Sequence, residues 1–237
     1  MKNTGKCAIC QLKNRICLTE DGKSPAFCPT FLYPEAIKKA LNEYQKPEIK
    51  EFARQASLQE SECYINRDSD PLFPYPVKPR LQETIEFSRR MNYKKLGLAF
   101  CFGVRYEASI LNEILKAHGF EVISVMCKVG GVEKHNLDLG PEERVKIGAY
   151  ETMCNPIAQA AVLNDENTDF NIMMGLCVGH DSLFMKYSEA MCTVFAVKDR
   201  VLGHNPMAAI YTAKSYMTRF MRDQINHYNE LLEKKKY

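Results

Sequence analysis

Tryptophan is absent from the 237 residues, histidine occurs five times, and neither sign of charge dominates. The 32 Lys and Arg are set against 29 Asp and Glu, a net charge of +3. That balance argues against a nucleic-acid surface, which draws its affinity from many phosphate contacts. The one basic cluster, Lys234-Lys-Lys236, reads as a solvated helix end. No apolar run approaches the ~18 residues of a membrane span. The first residues hold no apolar signal-peptide core, so the expected compartment is the cytoplasm. Neither a Walker-type phosphate loop nor a Gly-x-Gly-x-x-Gly turn occurs, and nucleotide use therefore has no positive support. Internal repeats and low-complexity tracts are also missing.

What the chain does have is cysteine, ten of them against an otherwise ordinary composition of 46% hydrophobic and 26% charged residues. In a reducing compartment these are thiols or metal ligands rather than disulfides. Cys7, Cys10, Cys17 and Cys28 fall within 22 residues, separated by Lys, Asn, Gly and Pro that cannot build a core of their own. A metal would supply the missing folding energy, roughly 10 kcal/mol or more for such small modules. The Cys-x2-Cys pair holds one ion from a tight turn and the other two complete a tetrahedron. Zinc and an iron–sulfur cluster both suit this donor set. Four free structural thiols are the alternative.

Residues 1–33 are thus expected to be a metal knuckle and residues 34–92 a helical segment with a Pro-rich connector. Pro34 and Pro47 stand at first-turn positions of helices over 35–44 and 48–64. Cys63 is expected in the core. Prolines 71, 74, 76 and 79 mark an extended connector, followed by a helix over 80–91. Residues 93–237 read as an α/β domain. Short apolar runs at 95–101, 120–127, 170–177 and 191–197 alternate with helical stretches at 107–118, 157–163 and 181–188, and a long final helix from Met207 towards Glu233. Helices this short between apolar strands imply parallel βαβ units, hence a small doubly wound sheet of about four or five strands. The polar stretch 128–152, with Gly130-Gly131, has the character of a lid or binding loop.

Ligands of open α/β sheets bind outside the carboxyl ends of the strands. Cys101, Cys127 and Cys177 sit at carboxyl ends, and Cys154 precedes a helix start that lies at the same edge. Cys192 begins its strand, on the opposite edge, and should be an inert core thiol. Soft thiolates in apolar surroundings favour an iron–sulfur cluster at the edge, with [4Fe–4S] the candidate there. Helix starts and Lys128 would stabilise the thiolates. His180, Asp181, Lys198, Asp199, Arg200 and His204 form a candidate acid/base or ligand set on the adjoining exits, with structural capping and salt-bridged lining as the bland alternatives. Arg105, Glu107 and Asn155 are weaker candidates. His118, His135 and His227 look like surface residues.

The Cys-x2-Cys start, Met153-Cys-Asn-Pro-Ile-Ala-Gln159, Gly175-Leu-Cys-Val-Gly-His-Asp-Ser-Leu-Phe184 and Val197-Lys-Asp-Arg-Val-Leu-Gly-His-Asn-Pro206 resemble a prokaryotic family known as domain of unknown function 1847. The resemblance spans nearly the whole chain and implies metal binding through cysteines. It carries over no catalytic residues. Three functions remain open: redox or sulfur chemistry at a cysteine-ligated site with a small molecule or redox partner; a non-catalytic metal carrier, sensor or ligand-binding scaffold; and a thiol-dependent hydrolase or transferase using His180 or His204.

Overall fold

The structure, a computed structural model, describes residues 4–69 and 74–221. The chain forms two compact units, Met1–Lys78 and Pro79–Tyr237. In the first, a single 3-10 turn at Cys7–Ile9 precedes α1 (Pro29–Leu32), α2 (Pro34–Glu43) and α3 (Pro47–Glu62). Each of the three helices begins with a proline, where the missing N–H is no loss. Cys63 follows α3 and is buried, its Sγ donating to the Gln59 carbonyl. β1 (Tyr64–Ile65) pairs antiparallel with β2 (Tyr75–Pro76), so the described part of the Pro-rich connector contributes a two-residue ladder, while its Pro71 lies outside the described residues.

In the second unit, α4 (Arg80–Arg90) leads to four strands: β3 (Lys95–Phe100), β4 (Glu121–Met126), β5 (Phe170–Leu176) and β6 (Cys192–Val197). They form one parallel sheet in the order β4-β3-β5-β6. The crossovers run through α5 (Arg105–Ala117), α6 (Pro156–Asp165) and α7 (His180–Tyr187). From β3 the chain moves to one side, then returns past β3 to β5 and β6. Right-handed crossovers therefore place α5 on one face and α6 with α7 on the other. This is the doubly wound α/β plan, and β5, covered on both faces, is buried at all seven positions.

Leu96, Leu98, Leu115, Leu163, Ile172 and Phe184 are fully buried between these layers. Each contributes about 1.5–3 kcal/mol of apolar transfer. On the α5 face, Phe87 and Tyr93 pack their rings on Phe170 at 5.6 and 5.4 Å. On the other, Asn164 of α6 donates to the Tyr187 carbonyl at the end of α7. Among the described residues no helix is long and apolar enough to cross a membrane.

The C-terminal helix differs from expectation. α8 covers only Met207–Tyr211, followed by turns and a 3-10 turn at Thr218–Met221. Ile210, Tyr211 and Tyr216 are exposed, so this stretch has no packed face, and helices without one are marginal. Asn205 does not cap it; Pro206 occupies the N-cap. Residues 222–237, with His227 and the terminal lysines, lie outside the described residues.

A buried polar knot locks the middle of the sheet. Thr168 Oγ1 donates to Asn171 Oδ1 at 2.8 Å, and Asn171 Nδ2 donates to Ser188 Oγ at 2.8 Å. Gly97 makes room for it: a Cβ there would lie 1.9 Å from Asn171 Oδ1 and 2.8 Å from Leu163 Cδ1. Gly97→Ala should cost about 1–3 kcal/mol by overpacking, and Asn171→Ala about 1–3 kcal/mol through lost hydrogen bonds and a cavity. The double variant, in urea unfolding, should lose less than the sum, because truncating Asn171 vacates the space that the new methyl needs. Strict additivity would mean that Asn171 is not what excludes a side chain at position 97.

Candidate functional site

The residues immediately after the four parallel strands are Cys101, Cys127, Cys177 and Lys198. Three of them extend the ladder by one bond. Cys101 N donates to Met174 O at 3.1 Å, Cys127 N to Phe100 O at 2.8 Å, and Lys198 N to Leu176 O at 3.2 Å. Backbone bonding thus fixes where these side chains start. Cys154 arrives from the loop before α6, because Asn155 N donates to Cys127 O at 2.7 Å. Asn155 itself is the N-cap of α6, its Oδ1 accepting from Ala158 N. Beneath them Gln159, fully buried, donates to both Phe100 O and Val125 O and ties the ends of β3 and β4 together. The sequence alone did not single it out.

All four cysteines line one crevice of about 690 Å³. Cys127 is the most buried and lies between two others, with the Cys154 and Cys127 Sγ atoms 3.8 Å apart. The three thiols share protons unequally. Hydrogen bonding from Cys127 holds Cys101 down to about 5, against its partial burial and with help from Gly103 N–H and Lys198. The same Cys127 contact, then Lys128 and His180, holds Cys154 at about 5. Cys127 is pushed up by those two hydrogen bonds and by burial, although Phe102 N–H donates to its Sγ at 3.3 Å. One buried thiol therefore keeps its proton and serves two thiolates. Cys177 stands further out, its Sγ accepting from Arg200 Nη2 at 3.1 Å.

Of the six candidate acid/base residues, His180, Lys198, Arg200 and His204 line the crevice. The two aspartates serve the backbone. Asp181 Oδ1 accepts from Gly179 N and Ser182 N, while Asp199 Oδ1 accepts from Val201 N and Leu202 N. The Lys198 ammonium occupies space left by two glycines, 3.1 Å from where a Cβ on Gly103 would stand and 3.7 Å from one on Gly175. His204 has φ +65°, and its Nδ1 accepts from Asp199 N at 3.2 Å. The neutral ring then carries its proton on Nε2, which makes it a donor. Arg105 stacks over Phe102 and Tyr106 at 4.5 and 4.2 Å, and neither it nor Glu107 lines the crevice. His118 meets Arg89, and His135 meets Glu133.

The loop 128–153 forms the crevice wall. Its neck is closed by a Glu133–Thr152 bridge, by Met153 N donating to Val132 O, and by a Lys134–Glu151 ion pair at 2.8 Å. Lys134 holds the Glu151 carboxyl down to about 2. The arm between the two sides of the neck supplies Leu137, Leu139 and Val145. These wall residues escaped the sequence reading, because isolated apolar positions in a polar stretch carry no periodic signal.

In the first unit Cys7, Cys10, Cys17 and Cys28 all line a second, much smaller cavity of about 60 Å³, together with Arg15, Lys23 and Phe27. The local fold is tight: Arg15 pairs with Lys23, Lys23 N donating to Asn14 O and Ile16 N to Lys23 O, and a Cβ on Gly22 would lie 2.1 Å from the Arg15 backbone. Among the described residues, no three Cys, His, Asp or Glu side chains are already drawn together as a metal-ligand cluster, and the cysteines of both sites are free thiols. Cys192 lies at the start of β6, packs against the core, and is pushed up by burial.

A family model described as "Protein of unknown function (DUF1847)" matches residues 28–195. The chain is 44% identical over 216 residues to the uncharacterized protein MJ0455 of Methanocaldococcus jannaschii, an alignment that covers 91% of this chain and 98% of that protein. No solved structure matches.

The thiol pattern is directly testable on metal-free protein. A thiolate persists above its lowered value, so alkylation of Cys101 and Cys154 by iodoacetamide should fall to half only near pH 5. Cys192, raised by burial, should react only above the ordinary thiol range. Cys127→Ala, which removes the shared donor, should move both half-points upward; unchanged half-points would refute the shared-proton arrangement.

Proposed function

The chain belongs to the DUF1847 family, and on that premise we propose that it is a metal-binding thiol protein with two unlike sites. The knuckle of Cys7, Cys10, Cys17 and Cys28 is a structural site, and the crevice of Cys101, Cys127, Cys154 and Cys177 is the working one. The contrast in space supports this division. About 60 Å³ surrounded by four thiols has room for an ion and no substrate, as in closed structural sites. About 690 Å³ lies in the range of pockets for small organic molecules.

The observation that carries the reading is the gathering of four cysteines from four separate chain segments on one carboxyl edge, with Cys192 left at the other. The donor set fits a soft metal: the four edge cysteines are in no disulfide, and Glu151, the one carboxylate in the lining among the described residues, is held by Lys134. When bound, a thiolate-held iron–sulfur cluster would supply electrons or an open iron for redox or sulfur chemistry. The chain's own groups do the rest. Lys198 and Lys128 balance thiolate charge, His204 offers an Nε2 proton into the crevice, and His180 stands beside Cys154.

A second reading has its own support. Thiolates ~2.3 Å from a tetrahedral zinc are about 3.8 Å from each other, which is the Cys127–Cys154 separation. A single zinc at the edge would favour a metal carrier or sensor over a redox catalyst.

The deciding measurement is iron, zinc and acid-labile sulfide per chain, on protein purified without oxygen. The proposal expects about four irons and four sulfides at the edge, with visible absorption. Cys→Ser at positions 101, 127, 154 or 177 should abolish that absorption and Cys192→Ser should leave it intact. Zinc alone, lost on edge substitution, would replace the first reading by the second. A metal content that no edge substitution lowers would leave metal at the knuckle alone and overturn both.

A further inference from the structure

Besides the thiols, the crevice is lined by three residues of one short loop. The loop 198–204 is stiffened by its own backbone: Asp199 Oδ1 accepts from Val201 N and Leu202 N, and His204 N donates to Asp199 O at 2.8 Å. Gly203 and His204 both take left-handed conformations, φ +59° and +65°. A histidine held there is strained, and such strain persists only where the surroundings impose it. The result is one short loop that presents Lys198, Arg200 and the Nε2–H of His204 to the same space.

Lys198 and Arg200 have no carboxylate partner among the described residues, whereas Lys134 and Lys128 both act on Glu151. Cations without a carboxylate partner and a neutral donor around a concave site attract oxyanions, and the Arg fork suits them geometrically. Facing them, the arm of the loop 128–153 offers apolar surface that the fold does not use. Leu137 is 53% and Val145 85% exposed, yet both line the crevice with Leu139.

We propose that the crevice binds a small organic oxyanion, its carboxylate or phosphate head on Lys198, Arg200 and His204 and its apolar body against Leu137, Leu139 and Val145. This deepens the reading of the crevice as the working site by naming the class of molecule held beside the thiols. Lys198 belongs to both walls: its ammonium lies near Cys101 and is positioned to bridge that sulfur and the anionic head. The site recognises the head by charge and the body by burial, so neither part alone should bind well.

Calorimetric titration of the purified chain with hexanoate and hexyl phosphate tests this, with acetate, inorganic phosphate and hexylammonium as controls. One or both six-carbon anions should bind at least about tenfold tighter than the matching short anion, and hexylammonium should not bind. Which head wins distinguishes carboxylate from phosphate. Arg200→Ala and Lys198→Met should each weaken binding about tenfold or more, His204→Ala should weaken it, and Leu139→Asp should erase the preference for the longer chain. Arg200 is exposed, so its variant keeps the test open should Lys198→Met misfold. Equal affinity for short and long anions, or affinity untouched by Arg200→Ala, would overturn the proposal. Metal content measured on the same samples separates the two claims. Anion binding without edge metal sustains the oxyanion site and sinks the metal reading; edge metal without anion binding does the reverse.

Discussion

Much of the carboxyl edge depends on one backbone constraint, the continuation of the parallel ladder one residue beyond three of its four strands. Cys101, Cys127 and Lys198 are each pinned by an N–H to a carbonyl at or near the end of a neighbouring strand. Because β3, β4 and β5 align Phe100 with both Met126 and Met174, the residues that follow emerge together. β5 then runs on through a register shift at Gly175, where φ is +65°, and carries Cys177 further out. That irregularity sets the shape of the site: three sulfurs stay close to the floor and the fourth stands beside Arg200. A side chain at Gly175 would meet both Val104 and the Lys198 ammonium, so the bulge and the cation are coupled.

The electrostatics follow from that placement. Three thiols brought together cannot all ionise, and none can be stable there without compensation. The chain resolves this by leaving the most buried sulfur protonated and aiming cations at the other two. The first unit follows a different plan. Its four cysteines surround a cavity an order of magnitude smaller, in a loop module with little core, where ligation and folding would be one event.

The strands, their exits and the edge cysteines were legible because each is a local pattern: an apolar run, a small residue, then a helix start. The contrast between Cys192 and the other cysteines of the α/β domain was legible for the same reason. Three things were not. The long C-terminal helix was read onward from Met207, and α8 stops at Tyr211 with Ile210 and Tyr211 exposed. Gln159 and Asn171 look like unremarkable polar residues in sequence, and only burial reveals that the first ties β3 to β4 and the second links Thr168 to Ser188. The wall formed by the loop 128–153 depends on long-range pairing, Glu133 with Thr152 and Lys134 with Glu151, which no short-range pattern announces.

The two aspartates explain best why sequence proximity misleads about chemistry. Asp181 and Asp199 each adjoin a crevice residue, and both carboxylates turn to backbone N–H groups of their own loops. Had either pointed inward, its charge would have opposed the thiolates of Cys101 and Cys154 and neutralised Lys198 or Arg200. Spending them on turns does two things at once: it stiffens the loops that carry His180 and His204, and it keeps a second negative side chain out of a crevice where Glu151 is already paired. A crevice lined by thiols together with Lys198 and Arg200, which have no carboxylate partner among the described residues, has the chemistry for a soft metal and an oxyanion side by side, because those carboxylates are occupied elsewhere.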